Sequence, residues 1–213
     1  PAIRTKYFWY LIWFLPLGGV FIWFIYHQFG KSVANGMKMV FHVGLGKNSK
    51  LPIRMVPLAV IGTWTTHLFG GSAGREGVAV QIGAAVSNNV GRLVDKTIDI
   101  ENSRKMFLIT GMAAGFSGLF CTPLAAIFFA LEVLVAGKLE YHALIPATVA
   151  SISAAFTSRA LGLRKFHINI LETLNYHPST YNAVFLLKLA AMGLCFGIVG
   201  SLFALILRYL RLK

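Results

Sequence analysis

The sequence predicts an all-helical integral membrane protein whose helices are broken and tilted, and three observations carry that prediction. Hydrophobic residues make up 56% of the 213 residues and charged residues 13%, about half the charged share of an ordinary soluble domain. Mean hydropathy is +0.68. Long apolar runs alternate with shorter ones that glycine and proline interrupt.

The formal charge of +13 comes from 20 Lys and Arg against 7 Asp and Glu. A basic stripe along a soluble helix would suggest nucleic acid. Here the cations gather in short connections: Lys31, Lys38, Lys47, Lys50 and Arg54 in one, Arg92, Lys96, Arg104 and Lys105 in another. That is the pattern of membrane-segment flanks. The expected partner is therefore a lipid bilayer and not nucleic acid, in a multi-pass protein of the cell (inner) membrane. Uneven loop lengths leave the orientation unassigned. Cys121 and Cys195 each lie in an apolar run, as small buried hydrophobes do; no disulfide, metal centre or cofactor is implied. No signal peptide is recognisable, and a start at Pro1 suggests a processed, trimmed or partial chain.

About 20 apolar residues cross a bilayer core. Tyr7 to Phe29 meets that length and opens with Tyr7, Trp9, Tyr10 and Trp13, an interfacial belt. His142 to Leu163 and Ala183 to Leu207 also qualify, the latter ending at Arg208, Arg211 and Lys213. Between them the runs are weaker. Leu51 to Phe69 carries Pro52, Arg54, Pro57 and His67, and Val78 to Leu93 is interrupted by Gln81, Ser87, Asn88 and Asn89. Met106 to Gly118 is glycine-rich; after Phe120-Cys121-Thr122-Pro123 a fresh run reaches Ala136. Proline lacks an amide donor and favours a new start there. Helices that stop within a membrane are tolerated where they line a cavity or lie buried in protein. Small residues such as Gly111, Ala113, Ala114, Gly115, Ser117 and Gly118 suit close helix packing.

The chemistry concentrates in Gly70 to Gly83, GGSAGREGVAVQIG. A loop over Gly70-Gly71-Ser72-Ala73-Gly74 feeds a helix predicted to begin near Arg75 or Glu76. The N-terminus of a helix offers unpaired N–H groups and a partial positive charge, an anion site away from water. Glu76 is a tethered anion at that place: ionised it occupies the site, protonated or swung aside it vacates it, coupling a proton to an anion. The alternative is a glutamate that only caps its helix and pairs with Arg75. Glu132, deep in the run that follows Pro123, also reads two ways, as a proton-path group or as a buried structural acid.

Two decoys fall away. Gly70 to Gly77 resembles a phosphate loop, but no GK[ST] or βαβ context follows. Gly115-Phe116-Ser117-Gly118 resembles the GxSG of intramembrane serine proteases, yet His67, His142, His167 and His177 lie near segment ends or in a loop, leaving Ser117 without an evident base.

Gly74-Arg75-Glu76-Gly77-Val78, with Val80-Gln81-Ile82-Gly83, resembles the GREGP…VQ signature of CLC chloride channels and transporters. Gly111-Met112-Ala113-Ala114-Gly115-Phe116, Thr122-Pro123-Leu124-Ala125 and Leu131-Glu132 resemble the next CLC signature, in the family's order and spacing. The resemblance implies a CLC-like fold of inverted repeats and a homodimer with a separate anion pathway in each subunit. It makes Glu76 the gating and proton-coupling glutamate. Gly74, Arg75, Gly77 and Val78 become the anion-binding turn, together with Gly36 and Met37, the latter at the serine position of the family's GSGIP loop. Val78 replaces the motif's proline, and Val133 stands where proton-coupled chloride members carry an internal glutamate. These departures resemble the fluoride-exporting branch. The implied function is anion/proton exchange, transport and not enzymatic catalysis, with fluoride favoured over chloride. A chloride-selective member is one alternative and a transport-inactive fragment or scaffold another. By the same resemblance, residues 1–213 form a single membrane domain running from about the third helix to the start of a mostly absent second repeat.

Overall fold

A computed structural model describes residues 10–31, 33, 35–47, 51–95, 103–135, 137–163 and 183–211, and every regular element among these residues is helical. The chain divides into two compact units, Pro1–Lys165 and Phe166–Lys213.

In the first unit α1 spans Leu15–Phe29, with a proline in its first turn, where the missing amide costs nothing. The short α2, Met37–Gly44, follows Gly36, whose φ of +52° suits glycine. Next comes α3, Met55–Leu68; Pro57 lies in its first turn and so breaks no ladder bond. A loop then leads to α4, Glu76–Asp95, and α5 runs Ser103–Phe120. Cys121, at φ +51°, ends α5, and Pro123 opens α6, Pro123–Glu132. A 3₁₀ turn over Tyr141–Ala143 precedes α7, Leu144–Ala160. The second unit contains α8, Ala183–Arg211.

Backbone contact governs the pairing of α4 with α5. A Cβ on Gly83 would stand 2.0 Å from the Gly111 carbonyl oxygen, and one on Gly115 would stand 2.3 Å from that of Ala79. Ala79, Gly83, Ser87 and Gly91 recur every four residues and so share one ridge. Gly91 faces the Phe107 ring, and Ser87 Oγ donates to the Phe107 carbonyl at 2.5 Å. Without bulky side chains on this ridge the two helices pack at minimal separation.

Hydroxyls tie α7 to the break between α5 and α6. Ser117 Oγ donates to the Ser151 carbonyl (2.7 Å), Ser151 Oγ to that of Pro123 (3.0 Å) and Ser158 Oγ to that of Gly118 (2.7 Å). Around these bonds Val40, Leu51, Leu108, Ile109, Met112 and Leu131 form the largest members of a dry core.

Two expectations change. The polar residues of α4 do not interrupt it, and two of them serve as cross-links: Ser87 bonds α5, and Asn89 Nδ2 donates to the Leu51 carbonyl at 2.9 Å. Of the three long spans foreseen, α8 alone among the described helices has both the length and the apolarity to cross a membrane, with mean hydropathy 2.3 over Ala183–Leu210. The run from His142 begins as a 3₁₀ turn and leaves α7 at 17 residues. Tyr7 to Tyr10 lies largely outside the described residues, and α1 has 15.

Candidate anion site

The loop–helix junction forms as its residues dictate. Gly70 takes φ +83° and ends α3, and residues 71–74 carry no regular structure. Helix α4 starts at Glu76, and its first backbone bond runs from the Ala79 N–H to the Arg75 carbonyl at 3.0 Å. Ahead of that bond, the N–H groups of Glu76, Gly77 and Val78 donate to no partner among the described residues. Three parallel amide donors with the positive end of a 20-residue helix behind them make an anion cradle.

The carboxylate of Glu76 lies back over this loop. A Cβ on Gly74 would meet Glu76 Oε2 at 3.2 Å, whereas one on Gly77 would meet nothing within 4 Å. Arg75 is exposed and forms no ion pair with Glu76. The proposed cap pairing between these neighbours is therefore absent, and the Glu76 carboxylate is held only by its tether. Val78 is half-buried and, unlike a proline, keeps its N–H as the third donor.

Gly36 comes against α4 at Gln81, about 140° around the helix from Glu76, and Met37 opens α2 beside it. The backbone of Gly36 lies against the Gln81 side chain, whose Nε2 is 3.4 Å from the Cβ position. Gln81 sits about 7.5 Å along the helix axis from Glu76, at 1.5 Å per residue. The start of α2 is tight: Lys38 N–H bonds the Asn35 carbonyl and Met39 N–H that of Gly36. Among the described residues no acceptor is bonded to the Met37 N–H. In the sequence Gln81 stands within a motif and as a polar interruption of an apolar run, without a site role; its signal is an amide in an apolar helix, less than two turns from Glu76.

Glu132 lies elsewhere. It is the last residue of α6, exposed, and its Oε1 accepts the Gly137 N–H at 3.0 Å. It is thus not a buried acid: the helix ends there, and the carboxylate closes the turn. Ser117 is fully buried and donates to the Ser151 carbonyl, and no histidine among the described residues is bonded to it, so its hydroxyl is engaged in helix packing.

Broken helices in an apolar fold, with free amides gathered at one junction, are features of an integral membrane family. A family description of voltage-gated chloride channels matches residues 18–211, and the chain belongs to that family, the CLC proteins. It is 37% identical over 195 residues to a "Chloride/fluoride channel protein" of Pseudomonas syringae pv. tomato, covering 92% of this chain and 41% of that protein. It is 33% identical over 157 residues to the "H(+)/Cl(-) exchange transporter ClcA" of Citrobacter koseri, covering 70% and 30%. Its fold matches the crystal structure of a CLC-type fluoride/proton antiporter with TM-score 0.82 and 45% identity, over 95% of this chain and 49% of that one. The chain thus spans between about a third and a half of these proteins.

Proposed function

We propose that this protein moves a halide across the cell (inner) membrane in exchange for protons, with fluoride favoured over chloride, and acts as a homodimer. The observation that carries this reading is the junction at Glu76. Three free amide donors and the tethered Glu76 carboxylate meet at one junction, so a halide and a carboxylate swung onto the donors would compete for them. Protonation of Glu76 removes its charge and yields the donors to the anion. Return of the carboxylate expels the anion and delivers the proton, which links the two flows.

Fluoride is supported by the names of the relatives that resemble this chain most fully and by Val78. Fluoride is the smallest halide and the strongest hydrogen-bond acceptor among them, so a third amide donor favours it most. The α7 residues Ile145, Val149, Ile152 and Phe156 are exposed and apolar; their spacing gives the helix one greasy face suited to a second copy.

Liposomes loaded with fluoride or chloride and carrying the full-length protein test the reading. Fluoride efflux accompanied by proton uptake is expected, and Glu76→Gln is expected to abolish the proton flow. Equal passage of chloride would make the protein a chloride carrier. Absence of any flux would favour a scaffold.

A further inference from the structure

A second polar site lies away from Glu76, where the start of α5 meets the connection between α6 and α7. A cavity of about 260 Å³ is lined there by Lys105, Lys138, Glu140 and His142, with Met106 and Ile109 as its apolar wall. Lys105 Nζ and Glu140 Oε1 are 2.7 Å apart. That pair neutralises the Glu140 carboxylate and leaves the Lys138 ammonium, exposed and without a side-chain partner among the described residues. The described lining residues therefore carry one net positive charge, with the His142 ring beside it as a further polar group.

Size and setting point to the ligand. The cavity is far larger than a halide needs. It opens where helices begin and end, and Tyr141 and Leu144, the sequence neighbours of its lining residues His142 and Ala143, are exposed. An aromatic ring at helix ends, apolar side chains on one flank and lysines in a pocket combine an interfacial anchor with a phosphate seat.

We propose that this cavity binds the phosphate group of an acidic phospholipid, with Lys138 as its main charge partner and Glu140 competing for the neighbouring Lys105. The acyl chains run over Leu144. The inference does not rest on the transport reading, since none of these residues belongs to the Glu76 junction.

Native mass spectrometry of the full-length protein, equilibrated with equal amounts of phosphatidylglycerol and phosphatidylcholine, tests it. Wild type is expected to retain phosphatidylglycerol preferentially. Lys138→Gln should reduce that preference roughly fivefold, the worth of one lysine near a charged lipid surface, and Lys138→Arg should restore it. Glu140→Gln, which removes the competing carboxylate, should raise it. Lys138 is exposed, so its variants leave the core intact. Displacement of the lipid by millimolar inorganic phosphate would keep the phosphate seat and assign it to the free anion. A phosphatidylglycerol preference that none of these changes alters, or no preference in wild type, would overturn the proposal.

Discussion

Gly83→Ala puts the contact between α4 and α5 to a direct test. The new methyl would stand 2.0 Å from the Gly111 carbonyl oxygen and must retreat by about 1.4 Å to reach an ordinary 3.4 Å contact. The obstacle is backbone, so no rotamer change can relieve it. Overpacking costs about 1–3 kcal/mol, and a backbone obstacle places this case at the upper end, near 3. Replacing a helical glycine by alanine returns about 1 kcal/mol of intrinsic propensity, leaving a net loss of about 2. For a chain of this size that lowers Tm by about 4–8 °C. Gly19→Ala is the matched control, because its methyl meets nothing within 4 Å, and about 1 kcal/mol of stabilisation is expected. Thermal unfolding of the detergent-solubilised full-length protein, followed by size-exclusion chromatography, reads both. If Gly83→Ala melts at or above wild type, the helices are not in backbone contact and the packing argument fails.

Ser117→Ala leaves the Ser151 carbonyl without its buried donor and should cost about 1–3 kcal/mol while leaving labelling by serine-reactive fluorophosphonates unchanged at zero; adduct formation on wild type would contradict the burial. Asn88 is 2% exposed and its Nδ2 has no hydrogen-bond partner among the described residues. Asn88→Leu, of similar volume, should therefore gain about 1 kcal/mol, and a lower melting temperature would show that the amide is engaged. Glu132→Gln keeps an oxygen for the Gly137 N–H, so the fold and Tm should hold. Proton-coupled flux in liposomes then separates its two readings: loss of coupling makes Glu132 a proton-path group, and unchanged coupling leaves it a turn-closing side chain.

What the sequence made legible was local. Gly70 to Gly74, and Cys121-Thr122-Pro123, announce breaks because glycine and proline restrict or free the backbone wherever they stand. The start of α4 at Glu76 followed from that loop. Long-range placement was less accessible. Glu132 looked deep in an apolar run, yet only the fold shows that α6 stops beneath it. Ser87 and Asn89 read as interruptions of a helix because their acceptors, Phe107 and Leu51, are 20 and 38 residues away. Lys105 and Glu140 pair across 35 residues, with no motif to link them.

The glycine ridge of α4 also bears on what can move. Helices separated by side chains have slack, since rotamers can adjust while the rods slide. Helices touching at Gly83 and Gly111 have none, and α4 behaves as a fixed post. If Glu76 gates as proposed, the amides of α4 keep one position and the moving part is the Glu76 side chain alone. A swing about its own single bonds is among the fastest motions a protein makes, so the proposed gating would need no rocking of helices. Its pace would then fall to the arrival of ions and protons.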